Sequence, residues 1–159
     1  MIFVDKFFDS KEDIKTLKKI ALYEVATNPL IAEGYPKWQS QGFMQNKYSE
    51  TSAIKFLVKK SLEITRSHFN NNSLEILSLW FVVNKKGQIY PWHFHPHKAT
   101  AIIYLNKCKN KGTLFRFNDI TFQLHNVKNN NALFFDGKID HAPPSDDTKN
   151  RITCAMDFN

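Results

Sequence analysis

The run Trp92-His93-Phe94-His95-Pro96-His97 places three imidazoles within five positions. His141 follows forty-eight residues after His93, and Arg151 ten residues after that. Neutral imidazole is a good ligand for iron, copper, nickel or zinc. On an extended backbone residues i and i+2 face the same way, so His93 and His95 are placed to hold one ion together. His141 completes the set if the fold brings it there, as antiparallel strands readily do. Three ligands on one face leave other coordination positions open, as redox chemistry with dioxygen requires. His97 has a rival claim, being two positions from His95, but after Pro96 it is expected to turn toward solvent.

Arg151 is the second half of the signal. It opens a β-like segment, Arg151-Ile152-Thr153-Cys154-Ala155-Met156-Asp157-Phe158. Residues 151 and 153 share a face, so a guanidinium and a hydroxyl point together. That pair suits a carboxylate, with arginine as the two-pronged partner and threonine as an extra donor. Tyr104, on Ile102-Ile103-Tyr104-Leu105, offers a phenolic donor. Asp136 and Asp140 are read as turn residues, with a role as imidazole acceptors as the alternative.

The elements that must position these groups change character midway. Ile2 to Phe8 is apolar and partly alternating, as in an opening strand. Ser10 caps a first helix that runs to about Ala26, and Asn28-Pro29 ends it. Residues 30 to 49 show no clear period and read as a lid or as a connection whose aromatics plug the core. A second, amphipathic helix spans about 51 to 69. After Asn70-Asn71-Asn72-Ser73 the apolar period drops from about 3.6 to 2. Strands are expected at Leu74–Asn84, Ile89–Trp92, Thr100–Leu105, Thr113–Phe117, Thr121–His125, Ala132–Phe135 and Arg151–Phe158, with a turn at Lys85-Lys86-Gly87. The expected fold class is α+β: one domain over 1–159, with a helical part over 1–73 and a curled sheet over 74–159.

Composition agrees with a packed domain. At 159 residues, 42% hydrophobic and 14% aromatic, with five glycines and six prolines, the chain has enough apolar surface for a core and no low-complexity stretch. No apolar run approaches the roughly 20 residues needed to cross a bilayer, and no secretory signal is read at the N-terminus. Cys108 and Cys154 form no CxxC pair, which fits a reducing, cytoplasmic setting. The net charge of +7 favours an anionic substrate over a neutral one. The lysines are scattered rather than clustered, which argues against a dedicated nucleic-acid surface. Oligomeric state and substrate are left open.

The ordered set of motifs resembles the 2-oxoglutarate- and iron(II)-dependent oxygenases, particularly small prolyl-hydroxylase-like and phage-encoded members. Phe3-Val4-Asp5-Lys6-Phe7-Phe8 is similar to their opening strand. Trp92-His93-Phe94-His95 stands where the family has His-x-Asp. Ala99 to Asn106 and Gly112-Thr113-Leu114-Phe115 resemble the next two strands. Asn131 to Gly137, then His141, then Arg151-Ile152-Thr153 resemble the distal-histidine and Arg-x-Ser/Thr region. The resemblance implies a double-stranded β-helix (jelly-roll, cupin-like) with two N-terminal helices packed on it. It also implies Fe(II) held by His93 and His141, and the far carboxylate of 2-oxoglutarate on Arg151, with Thr153 and Tyr104 beside it. The departure is His95 in place of the family's acid; with His95 included, the metal set is His93, His95 and His141.

Three alternatives compete. A three-histidine cupin-type dioxygenase needs no 2-oxoglutarate; Gly87 followed by His93-Phe94-His95 resembles its first motif, although Ala99 and Thr100 stand where that motif has glutamate. A non-catalytic jelly-roll binding module would keep only a degenerate site. A structural zinc site would need Cys108 or Cys154 as a further ligand. Trp80 and Trp92 are expected in the core, and His68 and His125 as structural residues.

Overall fold

The computed structural model describes residues 1–31, 38–85, 91–107, 112–124, 127–144 and 150–159. Most of the turn expected at Lys85-Lys86-Gly87, the first half of the strand expected at Ile89–Trp92, and Cys108 and His125 lie outside them.

The first helix, α1 (Lys11–Thr27), starts where expected: the Ser10 hydroxyl accepts from the backbone N–H groups of Glu12 and Asp13. It buries Ile14, Leu17, Ala21 and Glu24, one face at helical spacing. A short helix, α2 (Met44–Lys47), lies inside the stretch read as irregular. Its four residues are too few to show a period. It is tied to α1 because buried Glu24 accepts from the Tyr48 hydroxyl and pairs with Lys47 at 2.7 Å. The helix α3 (Ser52–His68) buries Ala53, Ile54, Leu57, Ser61 and Thr65. No helix among the described residues is long and apolar enough to cross a membrane.

The strands form two antiparallel sheets. In the larger, β1 (Ile2–Val4), β6 (Ala132–Phe135), β3 (Ala99–Tyr104), β8 (Asn150–Phe158) and β2 (Ile76–Lys85) lie in the order β1-β6-β3-β8-β2. In the smaller, β5 (Ile120–Gln123), β4 (Leu114–Phe117) and β7 (Asp140–Ala142) lie in the order β5-β4-β7. In the larger sheet neighbours in space are distant in sequence, as in a jelly roll, whereas β4 and β5 of the smaller sheet form a hairpin. The fold is a double-stranded β-helix with helices packed on one face, as the sequence implied. The opening strand is shorter than expected: it ends at Val4, and Phe7 and Phe8 turn inward to full burial. Pro91 and Trp92 are not strand; Pro91 has no N–H to give a ladder, and His93 forms an isolated bridge with His141. Asp140 is not a turn residue but the first residue of β7, where Arg116 Nε binds its carboxylate at 2.8 Å. Asp136 does cap a turn, accepting from the backbone of Lys138.

Period-2 alternation divides the larger sheet cleanly. On β8, Ile152, Cys154, Met156 and Phe158 join the core beneath the helices. On β2 and β3, Leu79, Phe81 and Val83, and Ala99, Ala101 and Ile103, do the same. The opposite set, Arg151, Thr153, Ala155 and Asp157 with Trp80, Val82, Thr100 and Ile102, lines a cavity on the other face. A second core of Tyr104, Phe115, Val127, Leu133 and Phe135 joins the two sheets below that cavity. Each buried Phe or Leu contributes roughly 1.5–3 kcal/mol, so the site face is held by apolar burial on both sides.

Candidate metal centre and anion pocket

His93 and His141 meet as directly paired residues of an antiparallel bridge. The His93 N–H donates to the His141 carbonyl at 3.0 Å, and the His141 N–H to the His93 carbonyl at 2.9 Å. Paired residues project to the same side, which turns forty-eight residues of sequence into adjacent rings. Their centroids are 4.4 Å apart. His95, two positions along, is anchored by its own N–H on the Gly137 carbonyl at 2.8 Å. Gly137 permits that approach: a Cβ there would lie 2.5 Å from the His97 carbonyl oxygen. One ring nitrogen from each of His93, His95 and His141 lies within 4.8 Å of the other two.

The three Nδ1 atoms all face an oxygen acceptor. His93 Nδ1 is 3.0 Å from the Pro91 carbonyl, His141 Nδ1 2.9 Å from the Ile139 carbonyl, and His95 Nδ1 2.9 Å from Asp157 Oδ2. A proton on Nδ1 satisfies each contact and leaves the Nε2 lone pair for a metal. Burial and the neighbouring imidazole push the His141 pKa down to about 3, and burial likewise lowers that of His93. Both rings are therefore neutral and ready to ligate at neutral pH.

That depression has a measurable consequence for the metal-free protein. Between about 3 and the ordinary value of 6.5, the unfolded chain holds a proton on His141 that the folded chain does not. Stability is therefore complete above pH 6.5 and falls as pH drops below it, by up to about 1.4 kcal/mol per unit. At pH 5 the loss from His141 alone is about 2 kcal/mol, or roughly 4–8 °C in melting temperature. Thermal melts of metal-free protein at pH 7.5 and pH 5 test it, and a His141→Gln variant is expected to show the shallower slope. Identical slopes in the two proteins would contradict it.

The other end of the cavity is cationic. Arg151 is 3% exposed. Its Nη1 donates to Asn84 Oδ1 and its Nη2 to Thr113 Oγ1, both at 3.3 Å, and its Cζ lies 5.3 Å from the centre of the Tyr104 ring. No carboxylate pairs with it among the described residues, and its Nε finds no acceptor there. Thr153 lines the same cavity, sharing the site face of β8. Tyr104 lies against the Arg151 cation. It is fully buried, and its hydroxyl contacts Thr113 Oγ1 at 2.5 Å and accepts from the Thr113 N–H at 3.1 Å. Tyr104 therefore supports Arg151 from beneath and orients Thr113, which itself reaches the cavity.

The cavity holds about 410 Å³ and is lined by the three histidines, Arg151 and Thr153 together. Trp80 lines it too, stacked on His95 at 5.6 Å between centroids. Trp92 lies under the Arg116 guanidinium at 4.7 Å rather than in the core. His97 is half-buried rather than turned out to solvent: it lines the same cavity, with its Nε2 3.8 Å from Asp157 Oδ2. Cys154 points into the helix-side core, so it is on the wrong face of β8 to complete a zinc site. Asp157, Thr113 and Asn84 are the residues that sequence reading missed. Asp157 carried one signal, since it continues the 151, 153, 155 alternation.

No family model and no curated protein matches the sequence. Solved structures do. The viral collagen prolyl hydroxylase vCPH of Paramecium Bursaria Chlorella virus-1, in complex with 2OG, superposes with a TM-score of 0.71 at 18% identity, over 99% of this chain and 94% of that one. A prolyl-4-hydroxylase of Pseudomonas putida gives 0.70 at 15% identity, over 99% and 91%. HygX of Streptomyces hygroscopicus, with nickel and 2-oxoglutarate bound, gives 0.68 at 9% identity, over 99% and 81%. The shared fold is that of 2-oxoglutarate and iron oxygenases.

Proposed function

We propose that this chain is an Fe(II)- and 2-oxoglutarate-dependent oxygenase of hydroxylase type. The observation that carries the reading is the buried Arg151 guanidinium, unpaired with any carboxylate among the described residues, in one cavity with three converging imidazoles. A buried charge is costly unless paired, so an anion is the natural occupant of its end. The likeness to structures holding 2OG, or nickel and 2-oxoglutarate, supports the same assignment.

In this reading His93, His95 and His141 hold the metal through Nε2. Arg151 receives the far carboxylate of 2-oxoglutarate, with Thr153 and Thr113 as hydroxyl donors, and Tyr104 and Asn84 keep the guanidinium in place. Trp80 braces His95 and helps to exclude water. When bound, iron and 2-oxoglutarate supply the oxidation: dioxygen and the keto acid give succinate and carbon dioxide, and one oxygen atom enters a C–H bond of the substrate. The protein contributes position, charge and dryness. A cytoplasmic site of action belongs to this reading, in keeping with Fe(II) and a fully buried free thiol at Cys154.

The three-imidazole set also favours a second reading, a three-histidine dioxygenase that uses no keto acid. Anaerobic titration of the Fe(II)-loaded protein with 2-oxoglutarate separates the two. The oxygenase reading expects a weak visible charge-transfer band, followed by succinate on admission of air. A metal-loaded protein that shows neither belongs to the second class.

A further inference from the structure

His95 stands where the motif it resembles has an acid, so an ion held by three imidazoles carries one more unit of positive charge. A carboxylate is nevertheless present immediately behind that ligand. Asp157 is 5% exposed and sits on the site face of β8. Its Oδ2 lies 2.9 Å from His95 Nδ1, and its Oδ1 accepts from the Thr100 hydroxyl at 2.8 Å. His93 Nδ1 faces the Pro91 backbone carbonyl and His141 Nδ1 the Ile139 backbone carbonyl. No lysine or arginine pairs with Asp157 among the described residues; its charged or chargeable neighbours are His95 and, at 3.8 Å, His97. A buried carboxylate without a cation is costly by itself. A metal on the far side of the His95 ring would offset that cost.

We propose that Asp157 is a positioning residue for the metal: it locks His95 through Nδ1 and supplies, from behind the ring, the negative charge that the third ligand lacks. The inference rests on the metal reading above. Acting through an imidazole, the carboxylate raises the basicity of Nε2 and fixes the ring plane, while Trp80 stacked on the ring prevents tilting. The acid is thus moved one residue layer outward rather than lost.

Titration with Co(II) alone tests this, read by visible absorption and by the affinity obtained from it. Asp157→Asn keeps the shape and removes the charge; it is expected to weaken Co(II) binding by about 10–100-fold. Thr100→Val disturbs the same carboxylate without removing its charge, and a loss of only a few-fold is expected. The double change His95→Asp with Asp157→Asn returns a carboxylate to the ligand position, and affinity within about tenfold of wild type supports the proposal. A merely structural Asp157 would not be rescued that way. Unchanged Co(II) affinity in Asp157→Asn, or a double variant as weak as the single one, overturns the inference and leaves the oxygenase reading standing. Wild-type protein that binds Co(II) normally but not 2-oxoglutarate overturns the oxygenase reading, while the Asp157 series still decides this one. Wild-type protein that binds no Co(II) overturns both.

Discussion

Arg151→Met is expected to weaken 2-oxoglutarate binding by about 100-fold to 4,000-fold while raising the stability of the ligand-free protein. Both effects come from one fact: the guanidinium is buried without an anionic partner among the described residues. With the co-substrate present, the forked cation meets a carboxylate in a site of low polarity. Losing such a partner costs about 3–5 kcal/mol, which sets the expected factor. Without it, the fold carries a desolvated charge held, among the described residues, by Asn84, Thr113 and the face of Tyr104. Methionine fills a similar volume with no charge to desolvate, so the metal-free, ligand-free variant is expected to gain about 1 kcal/mol or more. Arg151→Lys keeps the charge but not the fork, and about a tenfold recovery over methionine is expected. Equilibrium binding of 2-oxoglutarate and thermal melts of the same samples read the two effects together. A variant with unchanged affinity and an unchanged melt would remove the basis of the proposed function.

The second large effect is on the metal. His141→Ala is expected to weaken Fe(II) or Co(II) binding by more than the roughly 10–100-fold that loss of an outer partner costs, because a ligand itself is removed. Wild-type protein in metal at a hundred times the dissociation constant gains about 2.7 kcal/mol by mass action. For a chain of this size that corresponds to a rise of about 5–10 °C in melting temperature, reversed by a chelator. His141→Ala is expected to melt at one temperature with or without metal. His68→Ala serves as the control, since that ring lies against Phe69 at the end of α3, away from the cavity. Equal metal stabilisation in His141→Ala and wild type would mean that the three rings do not act together.

Much of this site was legible from spacing alone. The pair His93 and His95 had to share a face on any extended backbone, and so did Arg151 and Thr153. The loss of helical period after Asn70-Asn71-Asn72-Ser73 separated helices from sheet. Ser10 announced the start of α1 because an N-cap is a local device, complete within three residues. Each of these depends on contacts close in sequence, where residue type and period carry the physics.

What stayed illegible depends on register between distant strands. Asp157 could be assigned to the face of Arg151 by counting in twos, but only the pairing of β3 with β8, which sets Thr100 opposite it, puts it among the groups around the His95 ring. Thr113 and Asn84 gave no signal, since a threonine just before β4 and an asparagine near the end of β2 acquire meaning only when the fold brings both to Arg151, Asn84 by standing opposite it in the β2–β8 pairing. That Tyr104 lies under the Arg151 guanidinium and that its hydroxyl contacts Thr113 came only from the fold. By itself the sequence determined which side chains share a face and which chemistry they could perform. The tertiary structure alone decided which faces meet, because strand pairing is set by burial summed over both sheets and by no local group of residues.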